Sequence, residues 1–578
     1  MKGTNIMSKQ IIVVGGVALG PKVACRIKRL DPTIKVTIID KDNLISYGGC
    51  GIPYYVGGDV SELEGLRSTM AHVLRDEAYF KNIKGVDVIT RAEVFAIDRV
   101  AKVVHVRHLD TNKEETLSYD QLVLSTGSMP IIPPLPGVDL KGVTPVANLH
   151  HASFIKDQLS NGRVKNAVVI GGGAIGIEMA EALSDLWGVE TTLIEMTDQL
   201  LPQAFGKDMA LLIKNNMEKK GVQVLLSEKV TQLNGNNDNF VQSVQTTCRT
   251  IPCDLVIMAA GVRPNGELAK QSGIATGVYG GILVDQQMRT SDPSIFAGGD
   301  CVELCHLVSG KNIPVALGSL ANRQGRVIGT TIAGKRASFL GTVGSFCIKI
   351  FDLGVARAGL TSKQAKDAGF DPVHSVVVQA DRAHFYPTMN LMMLKLIADR
   401  KSRRVLGVEA IGQAGDAVKA RVDAVAPLLH HNITVDDISN LEVAYAPPFA
   451  SAMDIINNAA NSLDNIIEGR QNPIDVIDFL DMFKNGTGIV LDVRNPIQGA
   501  PFVKQYGDRW CNINQEELIH RLNDVPKQYP LFLVCGSGPR SYETQLLLKN
   551  HQWNHEQMFN VQGGMGMIKG SDLDFELE

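Results

Sequence analysis

One pattern occurs twice in this chain: a buried strand runs into a glycine turn and then a helix. "QIIVVGGVALGPKVACRIKRL" carries it first, and "IKVTIID" supplies the next strand, ending at Asp40. "NAVVIGGGAIGIEMAEAL" carries it again, followed by "ETTLIE" ending at Glu195. Such a turn lets backbone N–H groups at a helix N-terminus meet a pyrophosphate while the distal acid hydrogen-bonds a ribose. The second copy has the full G-x-G-x-x-G spacing at Gly171, Gly173 and Gly176; the first has Gly15, Gly16 and Gly20, with Val17 in the middle position. Two loops about 155 residues apart imply two dinucleotides, and an acid at the ribose position favours NADH over NADPH.

At 578 residues the chain exceeds one hydrophobic core, and three or four units are expected. Its 57 basic and 61 acidic residues leave a net charge of −4, which argues against wholesale binding to nucleic acid or membranes and makes any basic site local. Nine cysteines, an odd number without regular spacing, favour reduced thiols in a cytoplasm. The apolar run "IIVVGGVALG" has cofactor-loop glycines rather than a cleavage site, so no targeting or spanning segment is expected.

Three more segments, "LVLSTGSMPIIPPLPG", "LVIMAAGVRPN" and "IFAGGDCVEL", follow in an order that resembles the flavoprotein disulfide oxidoreductases. The resemblance covers roughly residues 8–460 and implies an α/β fold with two Rossmann-like dinucleotide-binding domains and an α+β dimerisation domain. An FAD domain in two parts, 8–157 and 281–344, would flank an NAD domain at 158–280, with dimerisation at 345–460. By the same resemblance Gly15, Gly16, Val17, Gly20, Asp40, Thr126, Gly127 and Asp300 serve FAD, and Gly171, Gly173, Gly176, Glu195 and Gly261 serve the nicotinamide nucleotide. The helix after Asp300 would aim its N-terminal dipole at the flavin.

"SYGGCGIPYYVGGDV" holds one cysteine, Cys50, with no second thiol close by in sequence; Cys25 lies on the first helix, so internal disulfide chemistry is not expected. The stretch resembles the single-cysteine branch: coenzyme A-disulfide reductases, NADH oxidases and peroxidases, and NADH-dependent persulfide reductases. A thiolate beside a flavin can take electrons from it and hold a substrate sulfur. The oxidases and peroxidases have a histidine where this chain has Ala18, which demotes oxygen and peroxide. Lys22, Arg26 and Arg29 share one face of the first helix, opposite Val23, Ile27 and Leu30. In the coenzyme A-using relatives, residues at these places hold the coenzyme's phosphates and Ser46 neighbours the thiol; here Gly49 replaces a frequent asparagine. Tyr386 in "HFYPTMN" and Tyr445 in "VAYAPPFASAMD" resemble residues that reach the thiol of the partner subunit in a homodimer, and Asn322 aligns with a substrate contact.

"CVELCH" pairs Cys301 and Cys305 with His306, but no second ligand pair follows, so core packing is expected rather than a metal. After a connecting segment at 461–473, residues 474–578 alternate strand and helix, and the strand "LFLVC" runs into "CGSGPRSYE". A cysteine leading through glycines into a helix N-terminus has several N–H groups aimed at its sulfur. This tail resembles an α/β rhodanese domain, which implies Cys535 as sulfur carrier, Arg540 closing its loop, and Asp492 and Arg494 in the LDVR segment. The sequence therefore reads as an NADH-dependent FAD reductase of coenzyme A persulfide, other persulfides or polysulfides, fused to a sulfur carrier. The alternatives are a coenzyme A-disulfide reductase, or a sulfurtransferase whose flavoprotein half senses redox state or binds partners.

Overall fold

The computed structural model describes residues 8–577 and divides them into two compact units: 8–196 with 228–342, and 197–227 with 343–577. In the first, Ile295–Ala297, Gln121–Leu124, Gln10–Val14, Lys35–Ile39 and Asp87–Ile89 form a parallel sheet in that order. Ile11 to Val14 are all buried, as expected of a strand covered on both faces. The opening helix, Leu19–Leu30, buries Val23, Ala24 and Ile27 and leaves Arg29 in solvent.

A second parallel set in the same unit runs Glu190–Ile194, Asn166–Ile170, Leu255–Met258 and Val143–Pro145, with the helix Ala174–Ser184 after its glycine turn. Ser128–Pro130 pairs antiparallel with Val262–Pro264, so the two strand-then-glycine segments that close the nucleotide folds are joined to each other.

The second unit begins with an antiparallel sheet, Phe346–Ile350, Leu353–Gly359, Val405–Gly412, Leu391–Asp399 and Pro372–Ala380, packed by helices Gly415–Val425 and Ile455–Ile467. The tail adds its own parallel sheet, in the order Pro473–Ile474, Met558–Val561, Leu531–Val534, Ile489–Asp492 and Trp510–Asn512. The tail is tied to the antiparallel sheet: the Gln562 amide accepts from Val376 N–H at 2.8 Å and donates to Asp475, which also bonds His374 at 2.9 Å. Burial alone would raise the Asp475 pKa, but the bonds from His374 and Gln562 and the nearby Lys395 bring it down to about 2.

Segment 197–227 belongs to this second unit. Its helix Lys207–Lys219 is held there by a buried Lys395–Asp208 ion pair at 2.8 Å and by Asn215 donating to the Gly570 carbonyl. No helix among the described residues is long and apolar enough to cross a membrane.

Candidate active site

Both glycine turns are built alike. Gly15 has φ +105° and a Cβ there would stand 2.2 Å from the Ser125 carbonyl oxygen; Gly171 has φ +115°, with 2.3 Å to that of Ala259. One turn of helix later, a Cβ on Gly20 or Gly176 would meet the preceding glycine's carbonyl at 2.0 or 1.9 Å. The acids complete the match: Gly16 N–H donates to Asp40 Oδ2 at 2.6 Å, and Gly172 N–H to Glu195 Oε2 at 2.7 Å. Burial raises the Asp40 pKa, against bonds from the Asp42 and Gly16 amides. Around Gly173 a Cβ would meet open space, room for a ligand to approach the backbone. Val17 is half-buried in the longer first turn, just before the opening helix.

Thr126 and Gly127 lie where these folds meet: the Thr126 hydroxyl donates to the Asn265 carbonyl at 2.6 Å, and Gly127 has φ +69°. Gly261, at φ +106°, accepts from Ile131 N–H. The Gly298-Gly299-Asp300 turn packs against Leu19 of the opening helix, and Gly299 N–H donates to Gln324 at 2.6 Å. Gln324 is fully buried, yet its Nε2 has no partner. Asp300 has a pKa raised by burial, with Ser128 as its hydrogen-bond donor. Together with the Gly15 cradle, an orphaned buried donor and a nearly unpartnered carboxylate are what FAD would satisfy, and the residues fit that group. The second turn fits a nicotinamide nucleotide.

The Cys50 segment is tied to the first glycine turn, because Ser46 N–H donates to the Gly16 carbonyl at 2.8 Å; buried Ser46 takes φ +53° to make the bend. Cys50 then sits in a short turn, Gly49–Gly51, that opens the helix Ile52–Gly57, and it is exposed. Its Sγ is 3.7 Å from where a Cβ on Gly318 would be. Gly318 begins the helix Gly318–Ile332, whose N-terminus has no side-chain cap. Uncapped N–H groups at a helix start favour negative charge, so thiol and helix dipole converge beside the FAD turn.

The same helix creates the basic seam. Gly325 and Gly329 let the opening helix come close, a Cβ on them meeting Lys22 at 3.0 Å and Arg26 at 2.8 Å. Arg26 Nε donates to Thr330 at 3.0 Å, which fixes the direction of its guanidinium, and Arg29 is exposed farther along. Asn322 is exposed and donates back to the Gly318 carbonyl at 2.9 Å. Arg326, one turn beyond Asn322 and also exposed, was missed from the sequence; the i, i+4 spacing to Asn322 was the available signal. Gln324 was missed too. On the helix Ala174–Ser184, half-buried Glu178 is pushed up to about 7 by burial, with Glu181 adding repulsion.

In the second unit, Tyr386 lies half-buried in the loop after Pro372–Ala380 and Tyr445 is exposed in the loop before Ile455–Ile467. Cys535 directly follows the central tail strand, Leu531–Val534, and is buried at 1% exposure. The Gly538 N–H donates to its Sγ at 3.0 Å and the Ser541 hydroxyl lies 3.4 Å away. One backbone N–H and a hydroxyl thus replace the several N–H groups expected. The loop carbonyls face the Gly564–Ser571 helix instead, Cys535 accepting from Met565 N–H and Gly536 from Gly566 N–H. Arg540 Nη2 lies 3.6 Å from where a Cβ on Gly536 would be, folded over the loop. Asp492 and Arg494 form a buried 2.8 Å ion pair, and Trp510 Nε1 donates to Asp492, a brace for the strand ends. Cys301 is buried and donates to the Gly298 carbonyl, while Cys305 is exposed.

A family model described as pyridine nucleotide-disulphide oxidoreductase matches residues 9–321, and one for the dimerisation domain of the same enzymes matches 345–455. A protein of Pyrococcus abyssi named NAD(P)H sulfur oxidoreductase (CoA-dependent) is 34% identical over 448 residues, 78% of this chain and 96% of its own. The structure of an NAD-dependent persulfide reductase from A. fulgidus superposes with a TM-score of 0.90 at 38% identity, covering 96% of this chain and 99% of that one. Reduced Bacillus anthracis CoADR-RHD superposes with a TM-score of 0.88 at 32% identity over 99% of each chain.

Proposed function

Because the chain belongs to the pyridine nucleotide-disulphide oxidoreductase family and is an FAD-dependent enzyme, we propose that it uses NADH to reduce the sulfane sulfur of coenzyme A persulfide and related persulfides or polysulfides. The reaction balances as CoA–S–SH plus NADH plus H⁺ giving CoA–SH, H₂S and NAD⁺: one S–S bond breaks and two electrons from the nicotinamide reduce it. The observation that carries this reading is the exposed, companionless Cys50 thiol, seated by the FAD turn at the uncapped start of the Gly318 helix. FAD, when bound, would accept hydride from NADH and pass the electron pair to sulfur.

The chain's own residues do the rest. Glycine cradles and the acids Asp40 and Glu195 hold the two nucleotides. Lys22, Arg26 and Arg29, with Asn322 and Arg326 across the seam, hold the phosphates of coenzyme A. Cys50 engages the substrate sulfur, and the phenols of Tyr386 and Tyr445 from the neighbouring subunit of a homodimer protonate the departing thiolate. The tail acts as a rhodanese domain: the Cys535 sulfur attacks a sulfane donor, takes its outer sulfur as a persulfide while the donor leaves as a thiolate or sulfite, and passes that sulfur to the thiolate of coenzyme A. The names of the Pyrococcus abyssi and A. fulgidus proteins support this substrate class, and the two superpositions that extend through the tail support its being part of the same enzyme.

The test is mass analysis of small molecules released on denaturation, together with anaerobic NADH oxidation on coenzyme A persulfide and coenzyme A disulfide. FAD with coenzyme A, and faster turnover on the persulfide, are expected. FAD with preferred turnover of the disulfide would replace the substrate assignment.

A further inference from the structure

Two loops of the second unit carry the exposed aromatic residues Phe385, Tyr445 and Phe449 together with Tyr386, and one side chain outside both loops ties them together. Arg421, on the helix Gly415–Val425, is buried. Its Nη2 donates to the Asp381 carbonyl at 2.9 Å, to the Phe449 carbonyl at 3.2 Å and to Asp454 Oδ2 at 2.8 Å; its Nε reaches the same carboxylate at 3.1 Å. Asp381 opens the Tyr386 loop and closes it as well, since its carboxylate accepts from Asn390 N–H at 2.8 Å and from Arg382. Phe449 and Asp454 belong to the Tyr445 loop, and Asp454 caps the helix that follows by accepting from Ile456 N–H. The loops also meet directly, Ala383 N–H donating to the Pro447 carbonyl at 3.2 Å and the Ser451 hydroxyl to the Arg382 carbonyl at 3.0 Å.

We propose that Arg421 is a positioning residue that fixes Tyr386 and Tyr445 relative to each other, so that both phenols meet the same sulfur. This rests on the role assigned above to those phenols. The physical reason is the shape of the group. A planar guanidinium offers donors in a rigid fork and can serve a carboxylate and two carbonyls at once; an ammonium can keep the ion pair with Asp454 but not the fork. A buried guanidinium shared by two loop backbones costs too much to leave unpaired, so the loops hold one arrangement. Neither phenol oxygen has a hydrogen-bond partner among the described residues, which leaves both for a ligand.

The experiment is a double-mutant cycle on the holoenzyme, comparing Arg421→Lys, the pair Tyr386→Phe with Tyr445→Phe, and all three together, by anaerobic NADH oxidation on coenzyme A persulfide. Arg421→Lys is expected to keep its FAD, lower kcat about tenfold and leave the KM for NADH unchanged, since a small misplacement of catalytic groups is costly. Added to the tyrosine pair, it is expected to lower kcat no further, the signature of action through the phenols. If Arg421→Lys turns over normally while the tyrosine pair is slow, the inference is wrong and the role of the phenols stands. If the triple variant loses the same further factor as Arg421→Lys alone, Arg421 acts by another route and the inference is equally wrong. If the tyrosine pair turns over normally, the role of the phenols fails first and takes the inference with it. Asp454→Asn, which keeps the helix cap and weakens the brace, is expected to show the same non-additivity with a smaller loss, and it decides between the same outcomes should Arg421→Lys fail to fold.

Discussion

Cys50 and Cys535 are both thiols in glycine-rich turns that lead into helices, yet their surroundings are opposite. Cys50 is exposed, in a turn held by backbone bonds from Ser46 and Gly48, and it faces the start of a second helix brought in from more than 250 residues away. Cys535 is buried and is served by its own loop, through Gly538 N–H and the Ser541 hydroxyl. The first arrangement leaves its sulfur open to approach from solvent. The second encloses its sulfur beneath a loop whose carbonyls are bonded by the Gly564–Ser571 helix. In the function proposed above, the first thiol exchanges electrons and the second holds an atom.

The largest separation of the two comes from Gly15→Ala, which forces a methyl to within 2.2 Å of the Ser125 carbonyl at φ +105°. FAD content and NADH oxidation should fall below detection, while sulfur transfer from thiosulfate to a thiol by Cys535 persists; loss of both would join the sites. Next is reactivity: native protein should lose the Cys50 thiol to iodoacetamide about a hundredfold faster than Cys535, by peptide mass mapping, with the gap closing in denaturant. Equal native rates would mean that the two thiols are equally accessible.

Ser541→Ala should slow sulfur transfer about tenfold and leave NADH oxidation unchanged. It also strands buried Asn560, whose amide oxygen lies 2.7 Å from that hydroxyl, at about 1–3 kcal/mol of stability. The smallest effect is the pH dependence of stability, which has opposite signs in the two units. Glu178, with its pKa raised to about 7, retains a proton that the unfolded chain loses near 4.5, so its contribution falls as pH rises through that window. Glu178→Gln should therefore raise the melting temperature above pH 7 and not below pH 4.5. Asp475, lowered to about 2, contributes above 3.8 and loses that contribution as pH falls towards 2. His374→Ala should weaken the tail's attachment at neutral pH, seen as faster hydrogen exchange at Val376.

Much of this was legible in the sequence because it rests on local geometry. The glycine at position 15 or 176 is dictated by a carbonyl that a Cβ would strike, and Asp40 and Glu195 directly follow the strand after each turn, so spacing alone announces both turns. The Cys50 turn and the alternating tail were legible for the same reason. What was not legible depends on distant partners. Arg26 is aimed by Thr330 and Gln324 is buried under the Asp300 turn; Arg421 answers to two loops at once. The packing of helix Lys207–Lys219 likewise depends on remote residues, Lys395 paired with Asp208 and the Gly570 carbonyl bonded by Asn215.

The most direct test of the account is sulfide released per NADH oxidised, measured anaerobically on coenzyme A persulfide for Cys50→Ser and Cys535→Ser with FAD content matched. Cys50→Ser is expected to lose about a thousandfold or more in sulfide release while Cys535→Ser keeps the wild-type rate on this pre-formed substrate. Sulfide release that survives in Cys50→Ser and disappears in Cys535→Ser would contradict it.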